Sequence, residues 1–346
     1  MPFEPAEDPG VARRNTITRW VTLALVAILI VLVAYLAWMG FIGSDQLVNP
    51  PSPSSDCRTP GVAEGWVYEA VNYDAATDAV VGDLPDQKHC APRNVPLEGK
   101  LEAADGVRLA AWYIPAGDGS PPNAPTVVLA HGEGGNKSSM LEYASLLHAR
   151  YNLVLFDFRN HGQSGGGQTT QGVLEQEDVR AVVDWLAKAK KPDRIAVLGV
   201  SMGGASALND AITDRAIDAV ILDSTYATLA GAVEARLGQQ GYPMAMPGAW
   251  ASLLGALLRT GQDLSAGDPV QLIGRFDRPV LVISGGQDRE VGPHDAQDLL
   301  AAARDGDSPS ATLETCADAG HGQPVEACRA DYAEWVLGFL DRSLGR

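Results

Sequence analysis

The chain contains no Cys-x-x-Cys pair, no nucleotide-binding glycine fingerprint and no His-Glu-x-x-His helix. Each of those signatures is the geometry that a zinc ribbon, a dinucleotide or a catalytic zinc ion requires, so neither a metal nor an organic cofactor is expected. Positive charge is also scarce, with 26 Lys and Arg against 43 Asp and Glu, for a net charge of −17. Residues 1–43 are balanced, with three charges of each sign, so the surplus belongs wholly to residues 44–346. Such a surface repels the phosphate backbone of nucleic acid, and no nucleic-acid partner is expected. Its acidity is what solubility asks for. No internal repeat divides the 346 residues, which suffice for one large α/β domain with extensions.

What is present begins with 25 uncharged residues, Trp20 to Ser44, dominated by Val, Leu, Ile and Ala. As a helix they cross roughly 30 Å of hydrocarbon. The run exceeds the roughly 7–15 apolar residues of a secretory signal peptide, so an uncleaved anchor over 20–43 is expected. Arg13, Arg14 and Arg19 precede it, while Asp45, Asp56 and only Arg58 come soon after. The positive-inside bias therefore leaves residues 1–19 in the cytoplasm and the rest of a single-pass protein outside the cell membrane. All four cysteines, Cys57, Cys90, Cys316 and Cys328, fall on that external side, where an even number reads as disulfides. Of the three connectivities, the sequential one, Cys57–Cys90 and Cys316–Cys328, is preferred.

Residues 44–56 form a Pro/Ser-rich linker, a short spacer that keeps the folded domain near the membrane. Residues 57–96 are polar and weakly periodic and read as an extension tied down by the first disulfide. From 97 to 346 the pattern is that of one α/β domain. It opens with two strands, 99–103 and 107–115, around the turn Asp105-Gly106. Apolar runs at 126–130, 153–156, 195–200, 219–222, 280–284 and 312–316 then alternate with helical stretches at 138–150, 173–188, after 201, 293–304 and 325–342. That alternation implies a mostly parallel sheet with helices on both faces.

The run Ile195–Val200 leads into Gly199-Val200-Ser201-Met202-Gly203 and then into small residues suited to starting a helix. A serine hydroxyl is presented for attack only on a very tight strand-to-helix turn, and the flanking glycines let that turn form. Ser201 is the candidate nucleophile. Gly162-Gln163-Ser164-Gly165-Gly166 matches the same pattern, but it sits among polar and glycine residues that read as loop, so Ser164 is set aside.

Serine needs a neighbouring base, and the base a group that fixes its tautomer. Asp288, just past the strand at 280–284, and His321, between the last strand and the terminal helix, both lie where a parallel sheet presents its carboxyl ends. Asp223, at the end of another strand, is the rival acid, with Asp157 behind it; a strand-end capping role accounts for both. His131 and His161 lie in glycine-containing turns and are expected to bond to backbone. The oxyanion of acyl transfer needs convergent N–H donors, for which Met202 N–H and Glu133 N–H, in the turn His131-Gly132-Glu133-Gly134-Gly135, are the candidates.

Together these residues resemble the α/β-hydrolase superfamily, in the branch of serine-aminopeptidase-like, dienelactone-hydrolase-like and prolyl-oligopeptidase-like enzymes. The resemblance covers 97–343 and rests on the His131-Gly132 turn, the loop Phe156–Ser164, the elbow at Ser201, and Asp288 and His321 in the family's order. It implies an α/β-hydrolase fold, the triad Ser201, His321, Asp288, and a structural role for Asp157 and Arg159. Glu133 departs from the small or apolar residues usual after His-Gly; its carboxylate should point away from the oxyanion, toward Lys137. The insertion at about 224–277 is read as a small helical cap, against the alternative of a helix packed on the core, since Leu253, Leu254, Leu257 and Leu258 have ordinary core spacing.

The expected function is a membrane-anchored extracytoplasmic serine hydrolase acting on an ester or thioester of a small-molecule or lipid-like acyl substrate. A serine peptidase acting on amides and a non-catalytic envelope scaffold of the same fold are the alternatives.

Overall fold

The aliphatic runs pair edge to edge in a computed structural model that describes residues 9–51, 58–73, 97, 99, 101–308 and 310–345. The strands are β1 (Glu69–Val71), β2 (Ala111–Ile114), β3 (Thr126–Ala130), β4 (Asn152–Phe156), β5 (Ile195–Val200), β6 (Ala219–Asp223), β7 (Val280–Gly285) and β8 (Ala311–Cys316). They form one eight-stranded sheet in the order β1-β2-β4-β3-β5-β6-β7-β8. The pairings β1–β2 and β2–β4 are antiparallel, and every other neighbour is parallel. Residues of β3 through β6 are buried on both faces, as expected of parallel strands covered by helices.

The main helices are α1 (Pro9–Val48), α2 (Leu141–Leu147), α3 (Glu175–Ala189), α4 (Met202–Ala211), α5 (Leu229–Gln239), α6 (Ala245–Thr260), α7 (Asp295–Asp305) and α8 (Arg329–Leu344). One core, built around Phe156, Phe158, Val182, Leu186 and Leu222, fills the face under α3, α4 and α7. The other, around Trp112, Leu129, Tyr151, Leu198 and Phe339, fills the face under α2 and α8.

Three boundaries differ from expectation. The sheet begins at β1, inside the segment read as a separate extension, because three residues too few to show alternation are recruited by backbone pairing with β2. The Asp105-Gly106 turn forms, with Gly106 N–H donating to Ala103 O at 2.9 Å, but its arms meet in one bridge, Glu102 with Arg108, and the sheet strand proper starts at Ala111. The apolar helix α1 runs on to Val48, through the first residues of the expected linker. The rest of that linker, and Cys57 and Cys90 with their expected bond, lie outside the described residues.

The loop after β4 is built on buried charge. Asp157 is wholly buried, and its carboxylate accepts from Lys137 Nζ at 2.6 Å, Lys137 N at 2.7 Å and Gln163 N at 2.9 Å. Burial alone would raise its pKa, yet the Lys137 charge and these donors hold it below the usual carboxylate range. Removing one member of such a pair strands the other charge, so Asp157→Ala should destabilise the protein by about 3–5 kcal/mol, read as a lowered urea midpoint. An unchanged midpoint would show that Lys137 finds another partner.

Candidate active site

The elbow is strained in the way its sequence demands. Ser201 has φ 52° and ψ −117°, positive φ on a non-glycine residue. A Cβ on Gly203 would lie 2.3 Å from Ala130 O, and one on Gly199 would lie 2.3 Å from Gly203 C, so only glycine lets β5, the turn and the start of α4 approach this closely. Ser201 N–H is tied to Asp223 O at 2.8 Å.

His321 comes to the same rim from the loop between β8 and α8. Its Nε2 lies 3.0 Å from Ser201 Oγ, and its Nδ1 lies 2.9 Å from Asp288 Oδ2. The second oxygen of Asp288 accepts from Glu290 N–H at 2.9 Å, which leaves Oδ2 to the imidazole. The three side chains, 87 and 33 residues apart along the chain, thus form one hydrogen-bonded relay. Burial pulls the His321 pKa down, but the hydrogen bond and charge of Asp288, with help from Glu290 and Asp223, outweigh it and raise the pKa above the ordinary 6.5.

The loop carrying His321 is held from three sides. The disulfide Cys316–Cys328, twelve residues apart, closes it at the base. A loop of that length is worth about 3 kcal/mol in the chain-entropy account. Ser224 Oγ accepts from Gly322 N–H at 3.0 Å, and Tyr143 OH donates to Gly322 O at 3.2 Å.

Beneath lies Asp223, wholly buried, accepting from Ser224 Oγ at 2.9 Å and Tyr332 OH at 2.9 Å. Burial pushes its pKa up to about 6 against those two bonds. Asp223 is therefore more than a strand-end cap: it anchors the hydroxyl that holds Gly322 while leaving the imidazole to Asp288. Ser224, Tyr143 and Tyr332 carried no motif. Only the position of Asp223 at a strand end pointed toward this network.

The turn after β3 packs on the elbow, where a Cβ on Gly132 would sit 3.5 Å from Ser201 Cβ. Among the described residues no acceptor takes the N–H of Met202 or of Glu133. The Glu133 carboxylate does not turn to Lys137, which is spent on Asp157 and Gln163. It pairs with Arg236 of α5 at 2.7 Å instead. That partner lies 103 residues further on, across the cleft, where no local pattern reveals it.

His131 and His161 are bonded to backbone, as expected. His131 Nε2 accepts from Phe158 N–H at 3.1 Å, and His161 Nε2 from Gly134 N–H at 3.0 Å. Burial drives the His131 pKa down to about 3, so it stays neutral. Ser164 is buried in the loop, donating to Asp157 O at 2.6 Å and accepting from Ala110 N–H at 2.9 Å.

The cleft above Ser201 is bounded by His321, Glu133, Arg236, Tyr226, Val233 and Leu47. It encloses about 20 Å³, room for a water molecule and little else. The insertion thus divides. Its first helix, α5, covers the cleft as a cap should, whereas α6 packs away from it against α1. Only Leu253 of the four leucines on α6 is buried. The end of α1 reaches the cleft through Leu47, whose carbonyl accepts from Gln171 Nε2 at 3.0 Å, while Val48 O accepts from Thr169 N–H at 2.8 Å.

Residues 127–335 match the alpha/beta hydrolase family. The protein YfhR of Salmonella typhimurium is 30% identical over 237 residues, 64% of this chain and 74% of its own length. The alpha/beta hydrolase domain-containing protein WAV2 of Arabidopsis thaliana is 29% identical over 210 residues, 59% of this chain and 65% of WAV2. Among solved structures, an esterase of Pyrococcus furiosus superposes with a TM-score of 0.64 at 22% identity, covering 86% of this chain and 98% of the esterase. An acylaminoacyl peptidase of Pyrococcus horikoshii gives 0.52 at 13% identity, over 68% of this chain and 39% of the peptidase. With the elbow, the strand order and this match in agreement, the chain belongs to the alpha/beta hydrolase family.

Proposed function

We propose that this protein is a membrane-anchored serine hydrolase that cleaves an ester or thioester through an acyl-enzyme. The reading is carried by the relay from Ser201 Oγ to His321 Nε2 at 3.0 Å and from His321 Nδ1 to Asp288 at 2.9 Å. In it, His321 takes the serine proton as Oγ attacks the acyl carbonyl, and Asp288 stabilises the imidazolium that forms. The N–H groups of Met202 and Glu133 receive the oxyanion, and His321 returns the proton to the leaving group. Water, activated by the same imidazole, then releases the acid.

Ester is favoured over amide by the breadth of the likeness. The esterase is covered almost end to end, while most of the acylaminoacyl peptidase has no counterpart in the superposition. This is analogy at the level of fold. Placement outside the membrane is supported by the disulfide, which persists in oxidising compartments, and by Arg13, Arg14 and Arg19, which precede the uncharged run Trp20–Ser44.

A fluorophosphonate probe tests the chemistry. Full-length protein should be labelled once, with the adduct on Ser201. Folded protein that takes no label would favour the non-catalytic scaffold.

A further inference from the structure

We propose that α6 is a second membrane element, seated in the outer leaflet beside α1, with lipid acyl chains filling the groove between the two helices. The inference rests on the reading of α1 as a membrane span.

The first observation is how the two helices are joined. They run side by side in the same direction: Tyr35 OH donates to Pro243 O at 2.7 Å, Ser252 lies over Met39 and Gly43, and Arg259 Nε donates to Ser44 Oγ at 2.8 Å. A Cβ on Gly40 would lie 2.8 Å from Ala251 O, and one on Gly255 would lie 2.4 Å from Gly40 O. Such close backbone approach through small residues four apart, Gly40 with Ser44 and Ala251 with Gly255, is how helices associate where no hydrophobic effect drives them together. From Tyr35 to Ser44 the contact extends about 14 Å along α1, near half of a hydrocarbon core of roughly 30 Å.

The second observation is what α6 shows to its surroundings. No charged residue occurs between Arg236 and Arg259. Within that stretch Trp250 is 55% exposed, Leu254 57% and Leu258 79%, and Met244 and Met246 are exposed beside them. Across the groove stand Val33 and Phe41 of α1, Phe41 being 67% exposed. The groove holds about 790 Å³ and is almost wholly apolar, closed at one end by Arg259. A surface of this extent in water is costly, and here it continues the exposed face of the apolar helix without a break.

Tyr35 supplies the donor for the carbonyl of Pro243, and Pro247 removes one N–H from the first turn of α6, which has no side-chain cap. The first charges after both apolar stretches, Asp45 and Arg259, meet at 3.3 Å, so the two helices leave the apolar layer at one level. The Trp20–Ser44 run, about 37 Å long, fills that layer when tilted. Because α5 and α6 are consecutive, the helix that covers Ser201 is joined directly to the one in the leaflet, and a lipid acyl ester is the substrate class this arrangement would admit.

Full-length protein in lipid nanodiscs, spin-labelled in turn at Leu258→Cys, at Leu29→Cys in mid-span and at Glu334→Cys on exposed α8, tests this. The readout is the ratio of accessibility to oxygen over accessibility to a water-soluble nickel chelate. The ratio at positions 29 and 258 should exceed that at 334 several-fold, with fluorophosphonate labelling of Ser201 unchanged. A high ratio at 29 with a value at 258 equal to that at 334 would overturn the seating of α6 and leave the anchor standing. A low ratio at 29 would overturn both. Spectral broadening at 258 that vanishes on dilution with unlabelled protein would overturn the proposal in favour of a second copy occupying the groove.

Discussion

Alanine at position 201 should lower turnover of an activated ester by about 10⁴–10⁶, the range in which loss of a triad nucleophile falls. The fold should survive, since among the described residues the Ser201 side chain bonds only to His321, and alanine keeps the backbone N–H that donates to Asp223 O. Ser164→Ala provides the internal comparison. Ser164 links Asp157 O to Ala110 N–H in the buried loop, so its loss should cost about 1–3 kcal/mol of stability while leaving kcat per folded molecule nearly intact. Stopped-assay turnover and urea midpoints on both variants separate the two. If Ser164→Ala reduces kcat as far as Ser201→Ala, the assignment of the nucleophile fails.

That contrast also shows where sequence is informative. Two Gly-x-Ser-x-Gly stretches occur, and what tells them apart is local: an apolar run before Ser201 and a helix-forming run after it. The order of strand, elbow, acid and histidine is local in the same sense, and β3 through β8 fall within a residue or so of the expected runs. What was illegible depends on partners far along the chain. Glu133 is met by Arg236 from the cap, and Lys137, its expected neighbour, is claimed by Asp157. The three residues of β1 exist because β2 offers an edge.

The leucines of α6 mislead for a different reason. Leu253, Leu254, Leu257 and Leu258 have the spacing of a core-facing stripe, yet Leu254 and Leu258 face outward. Periodicity reports an apolar surface but not the medium that covers it. A helix apolar nearly all round reads as core in a soluble domain and as lipid-facing beside a span.

Asp288→Asn should reduce kcat/KM by about 10⁴ and move the acid limb of its pH profile downward. Both effects come from one hydrogen bond. The neutral imidazole is the active form, so activity is absent below the His321 pKa and rises as pH passes through it. The Asp288 bond and charge are what carry that pKa above 6.5 against burial, so the wild-type limb should lie above 6.5. Asparagine removes the charge, burial then prevails, and protonation requires a lower pH. Asp223 supplies the control, because it is buried close by and pushed up to about 6 but bonds to Ser224 and Tyr332 rather than to the ring. Asp223→Asn removes only the smaller charge contribution of Asp223, so it should move the limb down slightly and leave the rate at pH 8 within a small factor of wild type. Damage to the fold would lower the rate without displacing the limb. A limb that stays in place in Asp288→Asn, or moves further in Asp223→Asn than in Asp288→Asn, would transfer the orienting role from Asp288 to Asp223.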